Sequence, residues 1–194
     1  WGSNFYGQLG DTTTTQQNVP VQVSGLVDII AVSAGANHSL AVQNDGSLWA
    51  WGLNDAGQLG DSTTVDRLIP GKVMIAGVVW ASAGENHCAA LKHDGTVWTW
   101  GQNTYGQLGI NSTADQHLPV QVTGLSDIVY IRASDNHNAA INSDGTLWIW
   151  GWNNYGQIGD GTTINRLAPV QISISSDVVS VSAGEEFTLA LKND

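Results

Sequence analysis

Four times in 194 residues the chain writes tryptophan and glycine, a variable residue, asparagine, and then Gly-Gln-Leu-Gly or a near variant. The copies read WGSNFYGQLG from Trp1, WGLNDAGQLG from Trp51, WGQNTYGQLG from Trp100 and WGWNNYGQIG from Trp150, so the spacings are 50, 49 and 50. A proline stands 19 residues after each tryptophan, at Pro20, Pro70, Pro119 and Pro169. From His38, His87 and His137 to the next such tryptophan is 13 residues each time. A period this constant means one supersecondary unit stacked on copies of itself, and the fold follows from that unit. The single deletion falls between Pro70 and Gly84, where a turn absorbs it.

Each unit divides into four short strands. DIIAVSAG, from Asp28 to Gly35, is an apolar β-branched run, and HSLAVQ, from His38 to Gln43, follows a tight turn. Asp45-Gly46, Asp94-Gly95 and Asp144-Gly145 are strong hairpin signals, because both residue types tolerate the positive φ of a type I′ turn. SLWAW then sets Trp49 and Trp51 on one face and Leu48 and Ala50 on the other. A Gly-rich loop leads to a fourth strand, PVQV, whose leading proline marks a sheet edge. Helical periodicity is missing. Strands apolar on both faces must be covered on both faces, and four-stranded antiparallel units set around an axis achieve this. The fold expected is all-β, a single β-propeller segment over residues 1–194 with repeat units 1–50, 51–99, 100–149 and 150–194. It should hold three complete blades plus one split or incomplete blade.

That last blade begins at Asp177 and has two strands before Asp194. Trp1 to Val23 can supply its outermost strand, but Trp1-Gly2 is all that stands for the third. The expectation is a segment of a longer ring, with closure between chains or a lone four-bladed ring as the alternatives. Open strand edges predict self-association through the seam.

Six Lys and Arg against 17 Asp and Glu give a net charge of −11. A phosphate-binding surface needs the reverse balance, so direct nucleic-acid binding is not expected, and a partner with a cationic surface is easier to accommodate. No apolar run approaches the roughly 20 residues of a membrane helix, so no membrane insertion is expected. The lone cysteine, Cys88, excludes an internal disulfide framework.

The pattern W-G-x-N-x-x-G-Q-L-G, a proline ten residues past the last glycine, then A-G-x-x-H-x-x-A-L and D-G-x-V-W-x-W, resembles the regulator of chromosome condensation repeat. The resemblance covers essentially the whole chain. It implies a propeller of about seven blades serving as a binding platform. The best-known member is a guanine-nucleotide exchange factor for the small GTPase Ran. Others are ubiquitin-ligase or receptor modules, many bacterial copies are secreted or on the surface, and a bacterial β-lactamase inhibitor uses a related propeller. The chain departs from the pattern at Phe187, which replaces histidine, at Ser134, which replaces glycine, and at Ala56, which replaces an aromatic residue.

Most of the chemically suggestive residues read as architecture. Gly2, Gly7 and Gly10 permit backbone that a side chain blocks, Asn4 and Gln8 can cap unpaired loop groups, and Leu9 can pin the loop. Gln58, Gln107 and Gln157 repeat Gln8. His38, His87 and His137 lie one blade apart, too far to share a metal ion, and read as buried rings satisfied by local backbone. Asp11, Asp61 and Asp160 supply about one carboxylate per loop where calcium wants several, so they read as turn formers. Trp1, Trp51, Trp100 and Trp150 sit at repeat-locked positions and read as inter-blade packing. Cys88 occupies the slot of Ser39, Asn138 and Thr188, with neighbouring His87 on the opposite face, and reads as inert. Neither metal, cofactor nor catalytic residues are expected.

Recognition is then left to positions the repeats do not share: Phe5, Tyr6, Asp55, Tyr105, Trp152, Asn154 and Tyr155, with Trp152 read as an exposed loop aromatic. The function expected is a non-enzymatic scaffold binding a protein partner through variable loops. One alternative is an exchange factor for a Ran-like GTPase. Another is a carbohydrate-binding or enzyme-inhibiting module of a secreted or cell-surface bacterial protein, a setting that suits few lysines and many Thr, Asn and Gly.

Overall fold

The computed structural model describes residues 1–174 and 177–193, and it contains strands, turns and loops with no helix among them. Three four-stranded antiparallel sheets follow one another along the chain. The first holds β1 (Ile29–Ala34), β2 (His38–Gln43), β3 (Leu48–Gly52) and β4 (Arg67–Lys72). The second holds β5 (Val78–Ala83), β6 (His87–Lys92), β7 (Val97–Gly101) and β8 (Gln116–Gln121). In the third are β9 (Ile128–Ala133), β10 (His137–Asn142), β11 (Leu147–Gly151) and β12 (Arg166–Gln171). A two-stranded sheet of β13 (Val178–Ala183) and β14 (Thr188–Lys192) completes the arc. These are three whole blades and a half-blade of a propeller, packed in sequence order with β1, β5, β9 and β13 innermost.

Each blade straddles two sequence repeats. β1 to β3 come from the end of one repeat and β4 from the next, so the Trp-Gly pair at the end of β3 is a mid-blade feature. The two faces of a blade are apolar because strand side chains alternate. Leu40, Val42, Leu48 and Ala50 face forward and pack on Val78, Ala81, Ala83, Ala90 and Trp100 of the second blade. The same contact recurs where Leu91 and Val97 meet Ile131, Ala133 and Trp150. Trp100 and Trp150 are fully buried, each adding about 3 kcal/mol or more of apolar burial to its junction.

Turn chemistry follows the sequence. Gly46, Gly95 and Gly145 close the β2–β3, β6–β7 and β10–β11 hairpins at φ of 80°, 78° and 80°. Before each innermost strand the backbone takes one left-handed residue, Asp28, Gly77, Asp127 or Asp177, a conformation Asp and Gly tolerate best.

Three expectations are corrected. PVQV at residues 20–23 forms no strand; the nearest pairing is a single bridge, Gly2 to Gln17, and among the described residues no third strand lies beside the segment. In the other copies the fourth strand starts before the proline, which sits fourth in β4, β8 and β12. A register shift at that point in each pairing carries the proline, and an edge strand leaves its missing N–H unneeded. Trp1 is 74% exposed, against 5% for Trp51, because among the described residues no sheet packs behind it. Phe187 is likewise exposed, on the uncovered face of the half-blade.

Candidate functional site

Antiparallel strands put the β1–β2 turn and the β3–β4 loop of every blade at the same end. That end gathers the Trp-Gly-x-Asn loops, so its construction decides what the protein can present to a partner.

Asn4, Asn54, Asn103 and Asn153 organise the loops from within. The Asn103 Oδ1 atom accepts the Leu108 N–H at 2.9 Å, and its Nδ2 donates to the carbonyls of Ser112 at 2.9 Å and Ala114 at 3.0 Å. The other three asparagines repeat this set. Gln8, Gln58, Gln107 and Gln157 accept, through Oε1, the N–H of the residue two positions earlier. Asp61 accepts from Thr63 and is held by Arg67 at 2.6 Å, while Asp160 repeats the arrangement with Thr162 and Arg166. Burial raises the Asp61 carboxyl, and the Thr63 and Arg67 bonds more than offset it, leaving it below its ordinary range. These carboxylates are engaged in loop closure, and no grouping of three potential metal-ligating side chains occurs among the described residues.

The repeated motif also ties blade to blade. The Gln58 carbonyl accepts from the Trp100 indole at 2.9 Å and from the Cys88 thiol at 3.3 Å, both on the second blade. The Gln107 carbonyl takes Trp150 and Asn138 in the same way, and the Gln8 carbonyl takes Trp51 and Ser39. His38 Nε2 lies 3.1 Å from Cys88 Sγ, His87 Nε2 3.2 Å from Asn138 Oδ1, and His137 Nε2 2.9 Å from Thr188 Oγ1. The sequence places these rings on local backbone; the structure turns them across the junction, because each sits on the second strand of its blade, which packs on the next blade. Cys88 and Thr188 donate to glutamine carbonyls, so they accept from the histidines, and Nε2 carries the ring proton. Burial lowers the His38 pKa to about 3 and those of His87 and His137 to about 4. Burial also raises the Cys88 thiol well above its ordinary value. The Cys–His pair therefore stays neutral.

On top of this scaffold lie the candidate recognition residues. Tyr105, Trp152 and Tyr155 come together: Trp152 is 5.7 Å from Tyr105, tilted by 35°, and 5.5 Å from Tyr155, edge-on at 85°. Trp152 is half-buried between the two tyrosines, where the sequence reading exposes it. Tyr155 is 63% exposed and Asn154 is exposed beside it. Asp55 is exposed and accepts from Gln58 Nε2 at 3.2 Å. Phe5 and Tyr6 are exposed on the N-terminal loop and make no ring contact with the cluster.

Sequence reasoning missed a second layer at this end. Glu85, Asp135 and Glu185 occupy the turns between innermost and second strands and, with Arg132, line an axial opening of about 410 Å³. Backbone bonds join the turns, Ala36 N–H to the Glu85 carbonyl and Glu85 N–H to the Asp135 carbonyl. The signal was an acidic residue after the Ala-Gly or Ala-Ser pair in three copies. Asn136 links this rim to the aromatic cluster. Its carbonyl accepts the Trp152 N–H at 2.9 Å, and its Nδ2 donates to Glu85 Oε2 at 2.9 Å.

A profile of the RCC1-like domain matches residues 1–194. The chain belongs to the RCC1-like family. Its arc superposes on human WBSCR16 with a TM-score of 0.87 and 27% identity, over 99% of this chain and 52% of that one. With Prp20p from Saccharomyces cerevisiae the TM-score is 0.82 and the identity 25%, over 94% of this chain and 48% of that one. A curated relative, the RCC1 domain-containing protein RUG3, mitochondrial, of Arabidopsis thaliana, is 35% identical over 51 residues, 25% of this chain and 12% of that protein. This RCC1-like chain thus spans about half the length of these solved relatives, and the three and a half blades are an arc of the kind their larger propellers contain.

Proposed function

We propose that this RCC1-like chain is a non-enzymatic interaction scaffold that docks a protein partner on its loop face. The observation that carries this reading is the Tyr105–Trp152–Tyr155 cluster, in which Trp152, unmatched in the other repeats, packs between two tyrosines of the repeat pattern on loops that the shared Asn and Gln residues hold in place. Preordered aromatics give contact area at little entropic cost. Family members mediate protein interactions, and the structure of Prp20p is described with its binding to Gsp1p and histones. Affinity capture with the wild type and a Tyr105→Ala/Tyr155→Ala variant tests the reading. Partners recovered by the wild type and lost by an equally stable variant support it; identical recovery refutes it. The family also supports a second reading, nucleotide exchange on a Ran-like GTPase. Scaffold function alone predicts that a fluorescent nucleotide leaves such a GTPase at its spontaneous rate in the presence of this protein.

A further inference from the structure

We infer that the loop face docks a cationic peptide segment, its Lys or Arg side chains taken by Glu85, Asp135 and Glu185 and its apolar part by Tyr105, Trp152 and Tyr155. This rests on the scaffold reading and names the chemistry of the partner.

One residue ties the aromatic loop to the carboxylate rim. Asn136 holds the Trp152 backbone with its carbonyl and the Glu85 carboxylate with its side chain, so the loop carrying the rings and the acidic rim flank it at the same end of the propeller. Charge is distributed unevenly along the propeller axis. Lys72, Lys92 and Lys192 stand at or next to the far ends of their blades, as the last residues of β4, β6 and β14. At the loop end, Arg67 and Arg166 are engaged by Asp61 and Asp160, and Arg132 is the cation lining the opening. Around that opening burial, with Glu185 and Glu85 as neighbouring charges, raises the Asp135 carboxyl above its ordinary range. Crowded carboxylates of this sort gain when a guanidinium or ammonium group enters, and the nearby aromatic faces add cation–π attraction. The net charge of −11 steers a basic chain toward the protein from a distance. A carbohydrate would want a flat, open aromatic platform. Trp152 is half-buried with Tyr155 set edge-on against it, which gives a ridged surface instead.

The test is fluorescence anisotropy with a labelled nonapeptide alternating Arg and Leu, and with its Glu-for-Arg counterpart. The basic peptide should bind and perturb tryptophan emission, while the acidic one should not bind. Glu85→Gln/Glu185→Gln should weaken binding about tenfold or more, since each removes a charge, while the amide at position 85 keeps an acceptor for Asn136. Tyr155→Ala should weaken it as well. Asp94→Asn/Asp144→Asn changes net charge equally at the far end and should leave binding intact. Equal losses from the two charge-changing pairs, or binding indifferent to Tyr155→Ala, would reduce the effect to unspecific attraction and overturn the inference. Displacement of the peptide by neutral oligosaccharides would overturn it in favour of a glycan site. If partner capture depends on Tyr105 and Tyr155 but survives Glu85→Gln/Glu185→Gln, the scaffold reading stands and the cationic partner falls. If capture ignores the tyrosines too, both fall.

Discussion

Gly106 shows what the first glycine of each Gly-Gln-Leu-Gly is for. Its φ is +79°, and a Cβ there would lie 2.8 Å from the Leu167 Cα on the third blade. Gly156 has the same backbone, φ +78°, but its nearest neighbour would be the Thr162 carbonyl at 3.8 Å. Gly156→Ala should therefore cost only left-handed strain, about 1–2 kcal/mol, while Gly106→Ala adds a clash with the neighbouring sheet. Urea midpoints should separate the two variants by about 1 kcal/mol or more, and equal losses would show that φ alone selects the glycine. Cys88 offers a second comparison. Ser39 fills the same slot and bonds the Gln8 carbonyl at 2.8 Å, so Cys88→Ser should keep stability within about 1 kcal/mol. Cys88→Val removes one of the two donors to the Gln58 carbonyl, leaving it the Trp100 indole, and strands the His38 N–H, and should cost about 1–3 kcal/mol. The motif glycines, Asn4 and Gln8 were legible as loop architecture from spacing. Cys88 meeting His38 was not, because 50 residues of sequence separate two atoms that only blade stacking brings to 3.1 Å.

At the level of strands and sheets, the blade junctions make stability pH-dependent. His38, His87 and His137 are neutral inside the fold, with pKa values of about 3, 4 and 4 against an ordinary 6.5. Their folded values are depressed, so the unfolded chain takes up the proton first. Their contribution is whole above pH 6.5 and is lost as the pH falls toward 4. Between about pH 7.5 and pH 5.5 each histidine should withdraw up to about 1.4 kcal/mol, measured as a falling denaturation midpoint. A midpoint that stays flat over this interval would show the rings to be solvated. Strand content was readable from alternation and the Asp-Gly hairpins, including the proline-bearing edges. Where each edge strand begins was not, since the bulge that places Pro70 fourth in β4 depends on pairing with β3. The failure of Val21 to Val23 to form a strand has the same cause, a missing pairing partner.

Over the whole molecule, the propeller class followed from period alone, while the binding surface followed only in part. Tyr105, Trp152 and Tyr155 stood out one by one as loop aromatics, but their mutual packing arises from adjacent loops of successive blades. Glu85, Asp135 and Glu185 escaped notice because each looks like an ordinary turn residue until the turns converge on one axis. The offset between blade and repeat has a further consequence. Removing residues 51–99 would join Ala50 directly to Trp100, and both remaining four-stranded sheets would still find their outermost strand. Such a variant should fold to two blades and the half-blade, with circular dichroism of the same shape per residue and a lower denaturation midpoint; loss of cooperative unfolding would count against this. A gene of this design can gain or lose whole copies by unequal recombination without leaving a broken sheet at the splice, so blade number is free to drift while the seams stay matched.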